Sequence, residues 1–165
     1  MSSFSRRRIL AAFMLGAVLT ACGFRPVYKQ GTAASGLQGK IAIKPGKGRE
    51  YFEMRERLVE RFGFAENPRY VLSFTFVATS EGLAVSKTAE ITRYNFDGVS
   101  NFKITDAASD VVLLKGTVKS TTAYSATAKT YPTRVAEQDA RSRLAKTLAD
   151  QIVTRISSTA NSWAK

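Results

Sequence analysis

Apolar residues change their period several times along this chain, and each change marks an element. From Gln38 to Lys44 they alternate, with Ile41 and Ile43 on one side. That predicts a short strand, ended by Pro45-Gly46-Lys47-Gly48. From Glu50 to Phe62 the period lengthens, and Tyr51, Met54, Leu58 and Phe62 recur at three and four residues. That is an amphipathic helix, with Gly63 suited to its C-terminal stop. Alternation returns from Tyr70 to Ala78, where Tyr70, Leu72, Phe74, Phe76 and Ala78 share an aromatic-rich face expected to meet the helices. Glu81-Gly82 is expected to turn the chain. Between Lys87 and Thr105, Tyr94, Phe96, Phe102 and Ile104 hold the even positions, interrupted by Asp97-Gly98. This is either one bent strand with a bulge or two strands joined by a turn. Asp106 to Asp110 reads as a turn, and Val111 to Tyr124 as another strand, with Val112, Leu114, Gly116 and Val118 on one side.

Pro132 fits the first turn of a last helix running to about Ser157. Ala140, Leu144, Leu148, Ile152 and Ile156 step along it by four, flanked by Val135, Ala145, Ala149 and Val153. Glu137–Arg141 and Asp139–Arg143 are i,i+4 pairs assigned to its wet side. Residues Asn161 to Lys165, including Trp163, are expected to form a frayed tail. The order is strand, helix, three or so strands, helix. It predicts an α+β two-layer sandwich: a mixed sheet of about four strands with two helices packed on one face. The first strand-helix-strand unit suits a crossover giving a parallel pair.

The N-terminus has a different pattern. Arg6-Arg7-Arg8 precede an uncharged run of 11 residues, Ile9 to Leu19, then Thr20, Ala21 and Cys22. The run is too short to span a bilayer and has the layout of a secretory signal. Leu19-Thr20-Ala21-Cys22 resembles the bacterial lipobox. The resemblance implies cleavage before Cys22, a diacylglyceryl group on its thiol and acylation of the new amine. The expected organisation is a signal peptide over residues 1–21, a lipidated N-terminus and tether over 22–36, one domain over 37–160 and a tail over 161–165. Several acyl chains hold a protein firmly at a membrane surface where one does so only marginally.

Composition then narrows the chemistry. Cys22 is the only cysteine and histidine is absent. With the thiol lipidated, disulfides, thiolate catalysis and cysteine metal sites are excluded, as are the commonest general base and zinc ligand. Gly46-Lys47-Gly48 lacks P-loop spacing. Glu50/Glu53 and Glu137/Asp139 read as helix-surface charges. A Ser–Lys hydrolase is the enzymatic alternative that these residues leave open; the expectation is a non-enzyme without cofactor or metal, apart from the lipid on Cys22. Net charge is +12, and removal of the three signal arginines leaves 22 basic against 13 acidic residues, or +9. Export turns that charge away from nucleic acid and toward anionic lipid headgroups or polymers. Lys103, Lys115 and Lys119, interleaved with Thr117 and Thr121, make a basic, hydroxylic sheet face suited to phosphorylated sugar-lipid, or else an ordinary solvated one.

Beyond the lipobox, Cys22-Gly23-Phe24-Arg25-Pro26-Val27-Tyr28 is similar to the start of the lipopolysaccharide-assembly lipoproteins, the LptE family, in particular its alphaproteobacterial type. Glu90-Ile91-Thr92-Arg93-Tyr94-Asn95, Gly116-Thr117-Val118 with Ser125, the run Ala136 to Leu144 and the closing Leu148 to Ile156 extend the likeness over nearly all of the mature chain. The resemblance implies a four-stranded mixed sheet with two helices. It implies an outer-membrane lipoprotein of the periplasmic leaflet that plugs and helps assemble the β-barrel LptD and binds lipopolysaccharide. Gly23 after the cysteine agrees with outer-membrane sorting. The nearest basic candidates for lipopolysaccharide are Lys87, Arg93, Lys129 and Arg134. The alternative is a periplasmic lipoprotein that binds another anionic envelope lipid or polymer through the basic sheet face.

Overall fold

The computed structural model describes residues 33–85, 91–127 and 129–164. The expectations for the signal peptide, Cys22 and Lys87 lie outside the described residues. Five strands and two long helices follow in chain order: β1 (Ile41–Ile43), α1 (Arg49–Phe62), β2 (Tyr70–Phe74), β3 (Val77–Val85), β4 (Ile91–Asp106), β5 (Val112–Ser125) and α2 (Thr130–Trp163). β1 pairs parallel with β2, and every other pairing is antiparallel. β2 and β3 lie one after the other along the same edge of β4, and β5 lines its other edge. The expected four strands are five because the run from Tyr70 breaks at Thr75 and Phe76 and then resumes.

Two local readings are corrected, and one left open is decided. Glu81 and Gly82 do not turn the chain; they lie inside β3 opposite Asn95 and Tyr94, and the register shifts just after Gly82. A glycine in a strand marks an irregularity as readily as a turn. Of the two forms left open around Asp97-Gly98, the single strand holds: both residues lie inside one continuous β4. In β5 the register shifts between Ile104 and Thr105, so Leu114 opposes Ile104 but Val112 opposes Thr105. One extra residue flips everything beyond it to the other face, which is why Val112 is half exposed and not beside Leu114.

The even-numbered residues of β2 and β4 build the core. Leu72, Phe74, Phe96, Phe102 and Ile104 are buried under α1 and α2. Met54, Leu58 and Phe62 of α1 fill one side, while Ala140, Leu144, Leu148, Ile152 and Ile156 of α2 fill the other. Each large side chain fully withdrawn from water contributes roughly 1.5–3 kcal/mol. Gly98 has a packing reason: a Cβ there would lie 2.8 Å from Leu144 Cδ2, so the bare backbone lets α2 sit close. Gly63 ends α1 at φ 78, ψ 165, a region open in practice only to glycine. Its N–H donates to the Val59 carbonyl, while Gly39 N–H caps the Phe62 carbonyl at 2.7 Å.

At 1.5 Å per residue, the 34 residues of α2 extend about 51 Å, roughly the length of β5. The helix does not fray at Asn161. Trp163 is buried, meets the Tyr70 ring edge-on at 5.2 Å, and donates its indole N–H to Thr159 Oγ1. At the other end Val135 is half exposed, so it does not belong to the buried stripe. Arg141 also departs from the wet side assigned to it. Its guanidinium lies 4.6 Å from the Phe96 ring centroid and pairs with Glu137 at 3.0 Å and with Glu50 of α1 at 3.5 Å. The helices are further joined by a bidentate Arg57–Asp150 pair, at 3.0 and 3.1 Å. Before β1, Ala34 and Leu37 pack into the core.

Candidate functional site

Two regions carry the candidate basic residues on the sheet. The first is the end of the sheet where β4 starts and β5 stops. Arg93 is exposed there, opposite Ser125 in the β4–β5 register. Stacked Tyr94 and Tyr124, 5.2 Å apart, stiffen the adjoining pair. Burial raises the Tyr124 hydroxyl above its ordinary pKa, and the nearby Glu137 carboxylate adds to the shift. The β5–α2 connection is tied by Thr133, whose hydroxyl accepts from the Thr127 N–H at 3.0 Å and bonds the Thr127 and Lys129 carbonyls. That knot sets Lys129 at the start of α2, exposed. Just beyond it, Tyr131 stands 78% exposed and shares a helix face with Val135.

Arg134 has a different setting. It lines a cleft of about 260 Å³ between α1 and α2 with Arg49, Arg141, Glu50, Glu53 and Glu137. Three guanidiniums meet three carboxylates there, so the cleft is close to electrically balanced. The structure thus places Arg93 and Lys129 at one sheet end and Arg134 in the helix cleft; Lys87 lies outside the described residues.

The second region is the open face of the sheet. Both helices cover the face of Phe74 and Phe96; among the described residues nothing covers the other. Its odd-numbered side chains include Ser73, Thr75, Asn101, Lys103, Lys115 and Thr117, which surround a shallow groove of about 660 Å³. Lys103 lies opposite Lys115 on one side and Ser73 on the other. Lys119 lies further along, opposite Val99. The sequence placed these lysines on one face; the facing of Lys103 and Lys115 required the register. Among the described residues there is no group of three or more metal-binding side chains, and no helix is long and apolar enough to cross a membrane.

The fold is a two-layer α+β domain with one sheet face left open among the described residues. The profile of the LptE family, lipopolysaccharide-assembly, matches residues 40–156. The chain belongs to this family of envelope-associated, non-enzymatic lipoproteins. Among curated proteins, none matches the sequence. Solved structures share the fold at low identity. A candidate lipoprotein from Caulobacter crescentus superposes with a TM-score of 0.65 at 18% identity, over 78% of this chain and 96% of that one. The rare lipoprotein B from Shewanella oneidensis gives 0.57 at 14% identity, over 73% and 93%. A minor lipoprotein from Acinetobacter baumannii gives 0.57 at 19%, over 73% and 92%.

Proposed function

We propose that this chain is a lipoprotein of the outer membrane's periplasmic leaflet, anchored through lipid on Cys22, that plugs and helps assemble an LptD-type β-barrel and binds lipopolysaccharide during export. It acts by binding alone, without catalysis, metal or cofactor. The observation that carries this reading is the family match across residues 40–156, which spans every strand and most of α2. The basic residues assigned to lipopolysaccharide are Lys87, Arg93, Lys129 and Arg134. Exposed Arg93 and Lys129, with exposed Tyr131 two residues beyond Lys129, suit a ligand with phosphates and acyl chains, because charged and apolar groups are then both on offer.

Affinity purification of the tagged lipoprotein from detergent-solubilised outer membrane is expected to bring down a large β-barrel at equal stoichiometry. Its absence would remove the barrel role. Arg93→Glu with Lys129→Glu is expected to weaken lipopolysaccharide binding at unchanged melting temperature. Arg134 is better tested as Arg134→Gln, since a reversal would add a fourth carboxylate to its cleft. Unaltered lipopolysaccharide binding in these folded variants would retire the basic site and leave assembly as the role.

A further inference from the structure

The open sheet face contains an arrangement that the fold does not need. Asn101 O accepts the Thr75 N–H at 2.9 Å, so the Asn101 peptide groups face β2 and turn away from β5. Two residues on, Lys103 shares that orientation. On β5, the Ala123 carbonyl accepts from Arg143 Nη2, so the odd-numbered residues of β5 aim their peptide groups at the outer edge. Lys103 and Lys115 are therefore a non-hydrogen-bonded pair, the type in which Cα atoms approach to about 4.5 Å and side chains lie closest. Like charges so placed repel.

Neither lysine forms an ion pair with a described residue. The acid on the same face of β4, Asp97, lies six residues along the strand, about 20 Å away, and accepts the Thr121 hydroxyl. That separation exceeds a Debye length of about 8–10 Å, so Asp97 offsets little of the repulsion. The groove between the lysines falls within the size range of small-ligand sites, roughly 300–1,000 Å³. Its floor is backbone, since Phe74 and Phe102 turn their rings into the core. The Thr117 hydroxyl donates to Asn101 Oδ1 at 2.7 Å, which fixes the amide and leaves its N–H groups free of any described acceptor.

We propose that Lys103 and Lys115, with the Asn101 amide and the Ser73 hydroxyl, form an anion site for a phosphomonoester group on the open sheet face, separate from the basic residues at the sheet end. A phosphomonoester carries about −1.5 to −2 charge and three acceptor oxygens, which matches two ammoniums plus further donors. A single carboxylate would leave one lysine unneutralised. The site stands on this geometry and not on the barrel reading.

The test uses the mature full-length lipoprotein in neutral detergent, labelled for amide resonances. Inorganic phosphate is titrated in one arm. In the others the micelles are doped with phosphatidic acid or with phosphatidylcholine. Saturable shifts are expected at residues 101–103 and 115–117, reversed by added salt. Lys103→Gln and Lys115→Gln are each expected to weaken binding about tenfold or more, the loss of one charge-assisted hydrogen bond. Lys146→Gln, the same charge change on α2, is expected to leave it intact. A tenfold advantage for phosphatidic acid over inorganic phosphate would identify a lipid headgroup as the source; equal affinity would identify a soluble phosphate ester. Circular dichroism checks that both variants remain folded. No saturable shift with either phosphate probe, or equal behaviour of the three variants, overturns the site.

Discussion

Arg141→Ala tests whether a surface-patterned arginine holds the two layers together. Arg141 sits over the Phe96 ring at 4.6 Å and pairs with both Glu137 and Glu50, with about a third of its side chain exposed. A half-exposed cation–π contact is worth about 1 kcal/mol. Each ion pair adds about 0.5 kcal/mol once solvent screening is allowed for. The expected loss is therefore about 2 kcal/mol, a fall in melting temperature of roughly 6–10 °C for a domain of this size. Urea unfolding followed by circular dichroism should show a midpoint lowered by about 1 M at unchanged slope. Lys146→Ala, an exposed residue without an ion pair on the same helix, should stay within about 0.5 kcal/mol of the native protein. Phe96→Leu keeps the site apolar but removes the ring, so a cycle with Arg141→Ala should give a coupling of about 1 kcal/mol. If Arg141→Ala melts like Lys146→Ala, or the coupling to Phe96 is nil, the clamp is refuted and Arg141 is an ordinary surface charge.

Leu148→Asp puts a carboxylate at a fully buried position of α2, at a cost of several kcal/mol, comparable with the stability of the whole domain; circular dichroism should find it largely unfolded, and a native-like melt would show the helix orientation to be wrong. Cys22→Ser should abolish metabolic labelling by a fatty-acid analogue, and equal labelling of both proteins would sink the anchor reading. Asp106 is held below its ordinary pKa by the Ser109 N–H and hydroxyl and the Ala108 N–H. Its folded pKa is depressed, so its stabilisation is complete above the unfolded carboxylate pKa of about 3.9 and is lost as pH falls through the lower folded value. Asp106→Asn should therefore lower the urea midpoint at neutral pH, with the difference closing in acid; a pH-independent difference would refute the assignment.

The amino-acid pattern alone determined most of the layers. The spacing of Met54, Leu58 and Phe62 gave α1 its buried stripe, and the alternation of Leu72, Phe74, Phe96 and Ile104 gave the core face of the sheet. Those periods are local, because a helix repeats at 3.6 residues and a strand at two whatever packs against them. The lipobox resemblance at Cys22 and the motifs of residues 90–156 likewise needed no coordinates to be seen. What tertiary structure decided was everything set by register and by which face meets which neighbour. The bulge that turns Val112 outward depends on how β5 aligns with β4. The facing of Lys103 and Lys115 depends on the same alignment. Arg141 carried a legible signal: it follows Ala140 and precedes Leu144, Ala145 and Leu148 by three, four and seven residues, so it borders the buried stripe. Only the arrival of Phe96 from the sheet and Glu50 from α1 turned that position into a clamp, and Trp163 became core only because Tyr70 lay under it. Such contacts join residues far apart in sequence, so no local period encodes them.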